Sequence, residues 1–155
     1  MSISENTLAP NFTASKNGGD TLSLSDLQGK WVILYFYPKD NTSGCTRQAC
    51  EFEENSNKIK AKDAVILGIS PDSVKSHDKF VDDFSLSFPL VSDSDKSICN
   101  AYGVWVEKSM YGRKYMGVER TTIIIDPTGM IQKIYPKVKV PNHVQTVIKD
   151  LEHLQ

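Results

Sequence analysis

The sequence predicts an α/β fold, a central mixed β-sheet with helices on both faces, and three observations predict it. The runs WVILYFYP (Trp31 to Pro38) and AVILGIS (Ala64 to Ser70) are continuously apolar and rich in β-formers, as strands buried on both faces are. A helical stretch from about Ser43 to Lys60 lies between them, which makes a βαβ unit with two parallel strands. Farther on, TTIIID and MIQKIYP flank the turn Asp126-Pro127-Thr128-Gly129 and read as an antiparallel hairpin.

The remaining elements follow in order. A helix is expected from Ser73 to Phe84, with Val74, His77, Phe80, Val81 and Phe84 along one side. Phe88 to Ser92 reads as a short strand and Lys96 to Tyr102 as a short helix. The stretch Lys108 to Tyr115 mixes basic and aromatic residues and reads as a solvated loop. Val144, Val147, Ile148, Leu151 and Leu154 mark a terminal amphipathic helix. At 155 residues the chain suits a single domain, residues 1–155, with a real core.

Composition excludes several functions. A net charge of −1 gives no electrostatic reason to expect nucleic acid or an anionic membrane as partner. No apolar run approaches the roughly 20 residues that span a bilayer. The start, MSISENTLAPNF, lacks a basic stretch followed by an apolar one, so no signal peptide is expected and a cytoplasmic location is favoured. Cysteines there are normally reduced, and an odd number, three, argues against a disulfide framework. His77, His143 and His153 show no ligand spacing with cysteines or carboxylates, so neither a metal nor another cofactor is expected.

The chemistry points to Cys45. It follows the buried strand through Pro38-Lys39-Asp40-Asn41-Thr42-Ser43-Gly44 and sits where a helix begins. Reactive groups in α/β sheets gather at such carboxyl ends of strands. Pro38 stops the strand, and Asn41, Thr42 or Ser43 can cap the helix. Unpaired N–H groups and the helix dipole favour thiolate over thiol in a first turn. A free thiol of pKa ~8.5 is only about 3% ionised at pH 7, and one of pKa ~6 about 90%. That gain of about thirtyfold shrinks because a less basic thiolate is a poorer nucleophile. A fast reaction therefore needs charge stabilisation at the leaving atom as well. The Thr42 hydroxyl and the Cys45 N–H are candidates, and Arg120, just before TTIIID, is the candidate cation.

The residues Pro38, Thr42 and Cys45 spell P-x-x-x-T-x-x-C, which resembles the active-site motif of peroxiredoxins. The longer string YFYPKDNTSGCTRQACEFE, with Cys50 five residues on, resembles the peroxiredoxin Q or bacterioferritin comigratory protein class. The likeness continues through LGISPDS, FPLVSD, YGVW, Glu119-Arg120-Thr121-Thr122 and IIIDPTG, nearly the whole chain. Two departures, Ser43 for a common proline and Ile123 for a frequent phenylalanine, remove no reactive group. The resemblance implies a thioredoxin-like fold, Cys45 as peroxidatic and Cys50 as resolving cysteine, and Arg120 as the active-site arginine. It implies a thiol peroxidase acting on hydrogen peroxide and organic hydroperoxides, recycled by thioredoxin or a similar dithiol. An intrachain resolving cysteine needs no partner chain, so a monomer is expected. A thioredoxin-type thiol–disulfide oxidoreductase is the alternative, although its C-x-x-C spacing is absent.

Spacing adds a constraint. On an ideal helix Cys45 heads the stripe of Ala49, Phe52 and Ile59, whereas Cys50 lies about 140° round, its Cα roughly 8.7 Å away. A disulfide requires less than about 7 Å, so the first turns must unwind before the bond forms. Cys99 reads as core filler, and Asp93-Ser94-Asp95 as a helix-capping cluster rather than a pair of Mg²⁺ ligands.

Overall fold

The computed structural model describes residues 3–155. The strands are β1 (Thr13–Ser15), β2 (Thr21–Ser23), β3 (Trp31–Phe36), β4 (Ala64–Ser70), β5 (Leu90–Ser92), β6 (Trp105–Met110), β7 (Arg113–Val118), β8 (Thr121–Ile125) and β9 (Ile131–Tyr135). The helices are α1 (Ser43–Glu54), α2 (Ser56–Ala61), α3 (Val74–Phe84), α4 (Ser97–Ala101) and α5 (His143–Leu154).

The central sheet runs β5-β4-β3-β8-β9, parallel on the β4 and β5 side and antiparallel on the β8 and β9 side. Strand β3 lies in the middle because both of its faces are apolar. Val32, Leu34 and Phe36 point to one side, Ile33, Tyr35 and then Tyr37 to the other, all buried. The Tyr35 face is covered by Ala49 and Phe52 of α1, Ile59 of α2, Phe80 of α3 and Val144, Val147 and Leu151 of α5. The Phe36 face is covered by Ile98 and Cys99 of α4, Tyr102, and Leu24 from the 3-10 turn Leu24–Leu27. Helices therefore flank the mixed sheet on both sides, as expected.

Four local features differ from expectation. The helix from Ser43 breaks at Asn55, whose side-chain amide donates to the Glu51 carbonyl at 2.8 Å and competes with the helical ladder. The expected loop at Lys108 to Tyr115 is a β-hairpin, paired from Trp105–Val118 to Met110–Arg113. Its two-residue turn is Tyr111-Gly112, both at positive φ (53° and 78°), which suits the right-handed twist of the strands. The small β1–β2 hairpin was not foreseen. Pro89 has no N–H to offer a ladder, and β5 accordingly begins at Leu90 rather than Phe88.

Register places the site. Strand β8 pairs with β3 from Val32–Ile125 to Phe36–Thr121, so the residue before Thr121 lies beside the carboxyl end of β3. That residue is Arg120. Among the described residues no helix is long and apolar enough to cross a membrane.

Candidate active site

After Phe36, the Tyr37 N–H still donates to the Ile69 carbonyl at 3.1 Å, and Pro38 then ends the pairing. The chain turns through Asn41 at φ 61° and enters α1 at Thr42, whose carbonyl accepts from the Thr46 N–H at 2.8 Å. The Thr42 hydroxyl does not cap the helix. It donates instead to the Lys39 carbonyl at 2.9 Å. The first-turn amides of Ser43, Gly44 and Cys45 thus receive no cap from it, and the positive end of α1 stays directed at the sulfur's own turn.

Cys45 is 2% exposed. Its sulfur accepts a hydrogen bond from Arg120 Nη2 at 3.2 Å, while Nη1 donates to Gln48 Oε1 at 2.6 Å. The guanidinium lies against this turn, Nη2 being 3.4 Å from where a Cβ on Gly44 would stand, an ordinary contact. Gln48 is fully buried, and its Nε2 has no partner among the described residues. Sequence reasoning passed over Gln48, although a polar residue three positions after Cys45 on the buried stripe was a visible signal. Beneath the site the Tyr35 ring packs 5.4 Å from Tyr37 and 4.8 Å from Phe52. Burial first, and then Cys45, push the Tyr35 hydroxyl well above its ordinary pKa, which keeps it a neutral group.

Cys50 lies in the same unbroken helix, half-buried, and all three cysteines are free thiols. Burial raises its pKa, with Glu54 and Glu53 adding to the rise. Of the sequence candidates, Cys45 and Arg120 come into contact, Pro38 and Thr42 shape the loop between β3 and α1, and Cys50 waits farther along α1. Cys99 belongs to the opposite face of the sheet. Asp93 and Asp95 do cap α4: Asp93 accepts from the Ile98 and Cys99 amides, and Asp95 from that of Ser97. His143 accompanies Arg120, with Nε2 2.8 Å from Thr122 Oγ1, and burial followed by the Arg120 charge lowers its pKa to about 4.

His77 corrects the sequence reading, which gave it no carboxylate partner. Its Nδ1 lies 2.7 Å from Asp40 Oδ2 and its Nε2 3.0 Å from the Val91 carbonyl. Asp40, Asp72 and His77 bring potential ligand atoms within 4.8 Å of one another, and each of these groups is already hydrogen-bonded.

Residues 6–134 match the AhpC/TSA family. A Coxiella burnetii protein bearing the peroxiredoxin bcp name is 50% identical over 148 residues, 96% of this chain and 98% of its own. Peroxiredoxin Bcp of Bacillus subtilis is 41% identical, covering 99% of this chain and 98% of its own. Among solved structures, Xanthomonas campestris bacterioferritin comigratory protein, studied for its alkyl peroxide reduction activity, superposes with a TM-score of 0.88 at 40% identity, over 92% of this chain and 91% of that one. A mutant of Xylella fastidiosa PrxQ gives 0.90 at 38% identity, over 98% and 99%. The fold is therefore the thioredoxin-like one of peroxiredoxins. With a buried cysteine under an arginine at the expected place, the chain belongs to the AhpC/TSA family, in its Bcp and PrxQ group, and is a thiol-dependent peroxidase.

Proposed function

We propose that Cys45 is the peroxidatic nucleophile and Cys50 its resolving partner. The Arg120 guanidinium, 3.2 Å from a sulfur that is nearly sealed from water, carries this reading. Cys45 thiolate attacks one peroxide oxygen in line and the O–O bond breaks. The sulfur, oxidised by two electrons, becomes sulfenic acid, and the other oxygen leaves as hydroxide or alkoxide and takes a proton from solvent, in exchange for the one the thiol gave up, to become water or alcohol. Arg120 and the Cys45 N–H stabilise charge on the departing oxygen. Thr42 spends its hydroxyl hydrogen on Lys39, so its oxygen accepts a hydrogen bond from the hydroperoxide O–H and donates none to the leaving atom. Pro38 holds the strand end from which this loop departs.

Cys50 then attacks the sulfenic sulfur, forming the disulfide and releasing water. Both cysteines stand in one continuous helix, so α1 opens before this bond closes. An external dithiol of thioredoxin type restores the two thiols. We place hydrogen peroxide and organic hydroperoxides among the substrates and read residues 1–155 as one catalytic domain, active as a monomer in the cytoplasm without nucleic acid or membrane. Intact-mass measurement after one peroxide equivalent tests the assignment. Wild type loses two hydrogens, Cys50→Ser gains one oxygen at Cys45, and Cys45→Ser stays unchanged. Full thioredoxin-driven turnover by Cys50→Ser would refute the resolving role.

A further inference from the structure

We infer that His77 is a positioning residue for the peroxide step, acting through Asp40 as the fixed end of the segment that carries Cys45. The inference rests on the roles just given to Cys45 and Cys50. Asp40 lies two residues before Thr42, in a loop that would otherwise be free to follow α1 when it opens. It is 6% exposed, and every polar atom of its carboxylate is engaged. Oδ1 accepts from the Tyr37 hydroxyl at 2.6 Å; Oδ2 accepts from the Ser76 hydroxyl at 2.8 Å and meets His77 Nδ1 at 2.7 Å. The Asp40 N–H donates to Asp72 Oδ2 at 2.8 Å, which also accepts from the Ser70 hydroxyl at 2.7 Å.

His77 and Ser76 belong to α3, not to the helix that opens. The fully buried imidazole has acceptors at both nitrogens, Asp40 Oδ2 and the Val91 carbonyl. One nitrogen thus ties the ring to the Asp40 carboxylate and the other to the sheet at Val91, and a buried, fully bonded attachment of this kind is directional. The opposite end is held too: Glu53 Oε1 accepts from the Ser87 N–H at 2.6 Å and its hydroxyl at 2.9 Å, beside the fully buried Phe52. Residues 41–51 therefore form a span with two fixed ends. Opening is confined to that span, and the folded side of the equilibrium keeps the Thr42 oxygen and the Cys45 sulfur aligned.

The two chemical steps have opposite needs. Peroxide attack requires the closed span, and disulfide formation the open one. Loosening the Asp40 end should slow the first and speed the second, whereas a general loss of stability would not split them. Rapid-quench mass spectrometry measures both, with sulfenic acid formation followed in a Cys50→Ser background. In His77→Ala, peroxide attack is expected to fall between ~10-fold and ~100-fold, as displacement of a reacting group does. Disulfide closure should rise, with faster amide exchange limited to residues 39–52. Asp40→Asn keeps the pattern in neutral form, its amide donating to Nδ1 and its oxygen accepting from Tyr37, and should return both rates to within about threefold. Equal slowing of both steps, no change in either, or faster exchange across the sheet would overturn the inference. Should His77→Ala not fold, Ser76→Ala must give the same opposed shifts at smaller size, or the inference fails. Failure of wild type to form sulfenic acid at Cys45 would instead remove the underlying cysteine assignment.

Discussion

Cys45 and Cys99 occupy matching places: each is the third residue of its helix, each is buried, and each stands at the sheet. What differs is the group that takes up the helix's positive end. At α4 the Asp93 carboxylate accepts from the Ile98 and Cys99 amides at 3.0 and 2.8 Å. Burial, with that same carboxylate adding to it, pushes the Cys99 thiol far above its ordinary range. At α1 no carboxylate of the described residues claims the amides, the Thr42 hydroxyl is turned to Lys39, and a guanidinium reaches the sulfur. A first-turn position is therefore not enough for a nucleophile. The cap decides, because it either spends the field on structure or leaves it for the sulfur.

The largest break in this contrast comes from Arg120→Ala, expected to lower the second-order rate with peroxide by ~10²–10³-fold, as loss of one preorganised donor does. Stopped-flow rates measure it, and a loss under threefold would mean that the uncapped helix suffices alone. Next comes the acid response of the Cys45 side, where His143 is held neutral with a pKa of about 4 against an ordinary 6.5. The unfolded chain takes up this proton as pH falls through 6.5 and the folded chain resists until about 4, so stability from this group is full above that window and lost within it. The loss amounts to about 2 kcal/mol after allowance for partial solvation, read by urea titration at pH 7 and 4.5. His143→Gln should flatten that part of the profile.

A smaller effect concerns the second thiol of α1. Burial, then Glu54 and Glu53, raise the Cys50 pKa, so disulfide closure should quicken with rising pH through the alkaline range. Glu54→Gln should quicken it by about twofold at pH 7, as removal of one exposed neighbouring charge does. The smallest is Cys99→Ala, with turnover within about twofold of wild type, since the thiol is held protonated on the far face of the sheet. Sulfenic acid trapped at Cys99 would dissolve the contrast.

The strands were legible, and Cys45 stood out as the proposed nucleophile, because the signals are local: continuous apolar runs in β3 and β4, and a cysteine following a proline-terminated strand. Arg120 was named as the candidate cation from its place before TTIIID but rested chiefly on the resemblance, since its position depends on an antiparallel register between residues far apart in sequence. The Asp40–His77 pair was invisible for the same reason, its partners standing 37 positions apart. The β6–β7 hairpin was missed differently. Its basic and aromatic composition suggested solvent, while the Tyr111-Gly112 turn was readable as a two-residue hairpin connection. Asn55 misled by being helix-tolerant in sequence yet bonded back to its own backbone in the fold.

The covering of Cys45, 2% exposed beneath Arg120, also sorts reagents by size. A small alkylating agent can meet the sulfur in the closed protein, whereas a bulky maleimide must wait for α1 to part from the sheet. The ratio of the two labelling rates is thus a clock for helix opening that needs neither peroxide nor reductant.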